Sequence, residues 1–206
     1  MNYTLLKKFL VIIVIIFIYC FLYKKIYHHL ENKSELFYDK VVFKKKSKIY
    51  DIVHENLPSM RNILFIVDII PFFLLAIICF IDLKLFYNVL GFLIPIYFIR
   101  LIIIHLTILP KDKKCDIEND SSILTGGCYD KIYSGHFASI FISLLVLYKR
   151  NYINMFLFIF ISLISGLLII SARSHYTIDI FVSFLIVILF YQNNINACRI
   201  IDIFFN

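Results

Sequence analysis

No Cys-x-x-Cys pair occurs in this 206-residue chain, so its five cysteines do not read as a zinc knuckle. No internal repeat is visible, which argues against an inverted-repeat transporter. No small-residue cleavage site follows the apolar run behind Lys7-Lys8. That run continues through Tyr23 and reads as a retained membrane span rather than a cleaved signal peptide. Glycine is scarce: there are five, and three of them, Gly126, Gly127 and Gly135, fall within ten residues. The periodic spacing of apolar residues expected of a soluble domain is also missing. Hydrophobic residues make up 61% of the chain and come in blocks. Mean hydropathy is +0.86, and these blocks exceed what one water-soluble core can hide.

What is present is a series of six apolar blocks, at 5–23, 62–82, 85–109, 135–148, 152–171 and 176–192. A helix needs about 20 apolar residues to cross the bilayer core. The blocks therefore predict an all-α, polytopic membrane protein of about six transmembrane helices, with the block at 135–148 short. Polar loops fill 24–60 and 110–134, and the other joints are tight, so neighbouring spans pack as antiparallel pairs. The organisation expected is an N-terminal span and polar loop over 1–60, followed by a membrane domain over 61–206. Pro71 and Pro95 lie inside spans and predict kinks. Asp68 and Arg100 also lie inside spans. Intramembrane charges are costly, so they pair with each other, face a wet cavity, or sit near the membrane surface.

The formal charge of +7 has two readings. A basic protein suggests nucleic acid. Basic loops beside apolar spans meet anionic lipid headgroups instead, and no nucleic-acid partner is expected. Cys115 and Cys128 share one polar loop. They form a disulfide if that loop faces an oxidising lumen, and otherwise stand as two free thiols.

Two clusters carry chemistry. The first runs Thr125-Gly126-Gly127-Cys128-Tyr129-Asp130-Lys131-Ile132-Tyr133-Ser134-Gly135-His136 and opens the fourth span. Glycines let backbone N–H groups approach a ligand, and a helix N-terminus favours anions. The second is Ser171-Ala172-Arg173-Ser174-His175-Tyr176-Thr177-Ile178-Asp179, between the fifth and sixth spans. His175 and Asp179, at i and i+4, share a helix face. The carboxylate fixes one imidazole nitrogen and leaves the other as nucleophile or base. Two spans separate the clusters, an even number of crossings, so both lie on one side of the membrane.

At these residues the chain resembles the sphingomyelin synthase family, within the wider PAP2-like lipid phosphate phosphatase superfamily. The resemblance covers roughly 95–192. Cys128-Tyr129-Asp130 with Tyr133-Ser134-Gly135-His136 is similar to that family's CGD…YSGH segment, with Tyr129 in place of the glycine. His175-Tyr176-Thr177-Ile178-Asp179 matches its HYTxD segment, and Arg100 to Thr107, Leu109 and Pro110 resembles its R…TxLP segment. The family's first motif survives only as Leu57-Pro58. The plain phosphatase pattern fits less well: no Arg-Pro pair occurs, Tyr133 replaces the proline of PSGH, and Ile169 stands where an arginine is expected.

The resemblance implies a PAP2-like helical bundle. It also implies transfer of a phospho-headgroup, phosphocholine or phosphoethanolamine, from a glycerophospholipid to ceramide, releasing diacylglycerol. His175 is then the nucleophile that forms a phosphohistidine, Asp179 orients it, and His136 acts as acid and then base. Arg100, Asp130, Tyr133, Ser134, Gly135, Arg173 and Tyr176 are the expected substrate-binding residues, with Arg173, Arg100 or Lys131 as phosphate clamp. No cofactor or metal is expected. The partners implied are membrane lipids: phosphatidylcholine or phosphatidylethanolamine, ceramide and diacylglycerol. A homo-oligomer is left open. The membranes implied are Golgi, endoplasmic reticulum or plasma membrane. A lipid phosphatase is the close alternative, and a non-catalytic lipid-binding scaffold or sensor is the alternative of another class. Sidedness is contested. The side bearing loops 24–61 and 110–134 and Arg173 carries fourteen Lys and Arg, against six opposite. The positive-inside rule puts that side in the cytosol, whereas the resemblance, together with Lys7-Lys8 before the first span, puts it in the lumen.

Overall fold

The computed structural model describes residues 3–34, 51–109 and 132–205, and all their regular structure is helical. The elements are α1 (Tyr3–Ser34), α2 (Ile52–Asn56), a 3-10 turn at Arg61–Ile63, α3 (Leu64–Ile81), α4 (Leu83–Leu106), α5 (Gly135–Lys149), α6 (Met155–Ser171), α7 (Thr177–Gln192) and α8 (Ala197–Phe205). Each of the six expected spans finds a helix. Four segments are long and apolar enough to cross a bilayer: Leu6–Ser34, Arg61–Ile81, Leu83–Leu106 and Thr177–Ile203. The other two apolar helices, α5 and α6, have 15 and 17 residues.

α5 is the axis of the molecule. Its residues from Gly135 through Leu147 are all buried, and α3, α4, α6 and α7 pack around it. At ~1.5 Å per residue it is about 22 Å long, shorter than the ~30 Å bilayer core. That shortfall is tolerated because α5 is sheathed by protein, and hydrophobic mismatch acts on lipid-facing length. The other helices turn large apolar side chains outward, such as Phe17, Phe80 and Phe160. This is the pattern of a bundle solvated by lipid.

α1 lies along α4, where Tyr23 and Leu30 bury against Leu101 and Ile104. It runs to Ser34, well past the apolar block that ends at Tyr23. Leu30 continues the α4-facing stripe, and His28 and Glu31 pair one turn apart at 3.6 Å. At the end of the bundle away from α2, α8 packs on α4 and α1. Lys8 Nζ meets Asp202 Oδ1 at 2.6 Å. α7 stops at Asn193, Asn194 takes a positive φ of 54°, and α8 follows as a separate helix. α6 starts at Met155 because the Asn154 side chain accepts from Leu157 N. α3 and α4 continue through Pro71 and Pro95 as unbroken helices.

Candidate active site

Local capping builds both halves of the site. Ser134 caps α5, its hydroxyl accepting from Phe137 N at 3.2 Å. This fixes His136 in the first turn, where helix N–H groups lack partners and the dipole favours anions. Ser134 is also stapled to α7: its N–H donates to Ser183 Oγ, which lies 3.0 Å from Ser134 O and 2.6 Å from Asp179 O. Tyr133, just before the cap, is fully buried, and burial pushes its hydroxyl well above the ordinary tyrosine range. Gly135 lets α4 approach closely, since a Cβ there would sit 3.2 Å from the Tyr97 ring. The Tyr97 hydroxyl is 2.8 Å from Ser139 Oγ and donates to Gly135 O.

The turn from α6 to α7 presents His175. Asp179 sits in the first turn of α7, 1% exposed. Its Oδ2 accepts from Tyr176 N at 2.8 Å and lies 3.3 Å from His175 Nδ1. One carboxylate oxygen thus closes the helix N-terminus and holds the imidazole. The His136 and His175 ring centroids are 6.3 Å apart.

The second histidine has a carboxylate of its own. His136 Nε2 lies 3.1 Å from Asp68 Oδ1, and both side chains are largely buried. Asp68 Oδ1 receives no aligned hydrogen bond among the described residues, so the contact is Coulombic. This answers where the Asp68 charge goes: it pairs with His136. Arg100 is bound elsewhere, with Nε donating to Tyr133 O and Nη1 to the Tyr19 hydroxyl, each at 3.3 Å, while its guanidinium lies 5.4 Å from the Tyr23 ring centre.

A clamp from the segment before α3 holds the His175 turn in place. Asp51 Oδ2 accepts from Thr177 N at 2.6 Å, and its Oδ1 accepts from Thr177 Oγ1 and His54 N. Burial alone would raise the Asp51 carboxyl, but these hydrogen bonds hold it below the ordinary carboxylate value. Met60 N donates to Ser171 O, and the His54 ring packs 4.9 Å from that of Tyr176. Arg173 stands at a positive φ of 62°, a conformation that costs energy in a non-glycine residue. Its Nη2 donates to Leu57 O at 2.8 Å. Its Nε and Nη1 are buried without a hydrogen-bond partner among the described residues. A half-buried cation whose two unused donor atoms are themselves buried, two residues from His175, fits an anionic ligand.

The histidines open onto a cavity of about 250 Å³ between α1, α3, α4 and α5. Arg100, Gly135, His136 and His175 line one end, Tyr19, Tyr97 and Ser139 add hydroxyls, and most of the remaining lining is apolar. Ile16 of α1 and Phe72 of α3 line it while also facing outward, so the slot opens sideways.

Residues 127–195 match the family model described as PAP2 superfamily C-terminal. The matched stretch holds α5, α6 and α7, both histidines and Asp179. It supports a PAP2-like lipid phosphatase or phosphotransferase and does not single out the sphingomyelin synthase branch. The chain matches no curated protein and no solved structure. Superfamily members are generally enzymes, and the long apolar helices fit an integral membrane protein.

Of the residues expected at the site, His136, His175, Asp179, Tyr133, Ser134, Gly135, Tyr176, Arg100 and Arg173 all lie at this end of the bundle. Asp130, Lys131, Cys115 and Cys128 lie outside the described residues. Sequence reasoning gave no role to Tyr97, Ser183 or Asp51, and it gave Asp68 no histidine partner. The signal for Asp68 was its charge inside an apolar span.

Proposed function

We propose that this chain is an integral membrane phosphotransferase that moves a phospho-headgroup from a glycerophospholipid to a lipid alcohol, with ceramide as the acceptor. The observation that carries the reading is a pair of buried histidines, each held by a carboxylate, facing each other at the mouth of an apolar slot. Asp179 occupies His175 Nδ1, so Nε2 is the nucleophilic nitrogen. Asp68 faces His136 Nε2 at 3.1 Å, which leaves Nδ1 as the nitrogen that exchanges protons with substrate.

In the first step His175 Nε2 attacks phosphorus, a P–N bond forms and the P–O bond to the glyceride breaks. His136 gives its proton to the departing diacylglycerol oxygen. In the second step the ceramide hydroxyl attacks phosphorus, His136 takes its proton, and the P–N bond breaks. Asp179 stabilises the cationic phosphohistidine. Arg173 and the first-turn amides of α5 take the phosphate charge. A slot reached from the bilayer brings in an acceptor without bulk water, which favours transfer over hydrolysis.

The test is product formation from fluorescent ceramide in liposomes containing phosphatidylcholine and phosphatidylethanolamine, with the His175→Ala protein alongside. A phosphosphingolipid made only by the unsubstituted protein is expected, and its headgroup names the donor. Phosphate release from phosphatidate with no phosphosphingolipid reassigns the chain as a lipid phosphatase. Neither product from a folded sample overturns an enzymatic role.

A further inference from the structure

The slot has a floor as well as a mouth. Ile12 and Ile15 of α1, with Leu90 and Ile94 of α4, line its end away from the histidines. Behind them stand Cys198 and Ile201 of α8, buried in one cluster with Ile12. α8 is held there by several attachments, among them the Tyr87 hydroxyl donating to Asp202 Oδ1. Lys8 pairs with Asp202, Asn196 Nδ2 donates to Asn88 O and Oδ1, and Cys198 Sγ donates to Tyr87 O. The floor is therefore braced and does not belong to a loosely hung helix.

Its depth is measurable along α4. From Arg100 at the site to Leu90 at the floor is ten residues, about 15 Å at ~1.5 Å per residue. That is half of the ~30 Å hydrocarbon core, the depth reached by the acyl chains of one leaflet. The walls between are mostly apolar, with the paired hydroxyls of Tyr97 and Ser139 toward the histidine end, and the outward-facing Ile16 and Phe72 give a lateral entrance.

We infer that the slot is an acyl-chain ruler: it seats one chain of the lipid substrate, and the α8-backed floor at Ile12, Leu90 and Ile94 selects chain length. The inference rests on the reading of the histidine site as a lipid phosphoryl-transfer centre. The chain enters sideways between α1 and α3, its terminal methyl stops at the floor, and the phosphate then reaches His175. A longer chain lifts the phosphate off the histidines, and a shorter one leaves the floor unfilled.

The test separates binding from turnover. The His175→Ala protein, in detergent, is offered an equimolar mixture of phosphatidylcholines with chains from eight to eighteen carbons, and bound species are read by native mass spectrometry. The same background carries Leu90→Phe, which raises the floor, or Leu90→Ala, which lowers it. Leu90 is only half buried, so both fit the fold, and Phe80→Ala, at a lipid-facing side chain 91% exposed, is the control. Leu90→Phe is expected to shift the preferred chain shorter, with the long-to-short occupancy ratio falling below that of the Leu90 protein. Leu90→Ala shifts it longer, and the profile of turnover by the His175-containing proteins moves in parallel. Unchanged occupancy profiles in both variants, or no lipid retained by any of them, overturn the ruler. Shifted occupancy without turnover by any His175-containing protein leaves the ruler standing and overturns the enzymatic reading instead.

Discussion

Asp68 is a charge inside a membrane helix, and its nearest ionic partner is the imidazole of His136. Keeping an ion there is costly, and such residues mark functional sites often enough for this one to be tested as such. Asp68 touches His136 and does not line the slot, so the proposed mechanism casts it as a positioning residue. Asp68→Asn keeps the size of the side chain and removes the charge. The expected result is a fall in kcat of about 10²-fold, within the range of one acid–base group, with KM and thermal stability near those of the unsubstituted protein. Liposome kinetics check it, and a kcat within threefold of normal would show that Asp68 does not act through His136. Legibility at this scale followed distance along the chain. His175 and Asp179 lie four residues apart, and helical geometry alone brings them together. Asp68 and His136 lie on different helices, so nothing local announces their pairing. Arg173 was visible as a cation beside His175, but its unused donors arise from a left-handed turn that only the folded backbone shows.

Among the elements, hydropathy located the six spans but misplaced their ends. α1 runs eleven residues past its apolar block, because helix continuation needs only a stripe facing α4 and not a wholly apolar surface. α8 went unnoticed for the opposite reason: it is short and amphipathic, and its role comes from what it braces. Its seat against α4 depends on Gly91. A Cβ at that position would run into the Asn196 carboxamide and stand 2.9 Å from Cys198 Cβ. Asn196 cannot swing aside without losing its bonds to Asn88 and to Cys198 N. Gly91→Ala is therefore expected to cost about 1–3 kcal/mol as an overpacked contact, seen as a lower Tm in detergent. An unchanged Tm would mean that α8 yields without strain.

For the molecule as a whole, the histidines, the α2 clamp and the end of α1 at Ser34 share one end of the bundle. Lys8, Lys84, Lys149, Arg150 and Arg199 mark the other. Span parity alone makes that shared end legible in the sequence. The side of the membrane it faces was not legible, because charge bias and family resemblance disagree. A glycosylation acceptor inserted between residues 110 and 131 is expected to be modified in microsomes, placing the site in the lumen. An unmodified insert would place it in the cytosol.

The enclosure of α5 bears on how the protein is made. A segment of 15 residues with no lipid-facing side is a poor client for the insertion machinery and enters the bilayer only with company. α3 and α4 are synthesised before it, but α6 and α7, its other two walls, come after. Ser134 meets Ser183 only when α7 has arrived. His136 therefore reaches its working depth at the end of biogenesis. On the proposed chemistry a half-made chain is silent, and the membrane that builds this protein is spared that chemistry until the last wall closes.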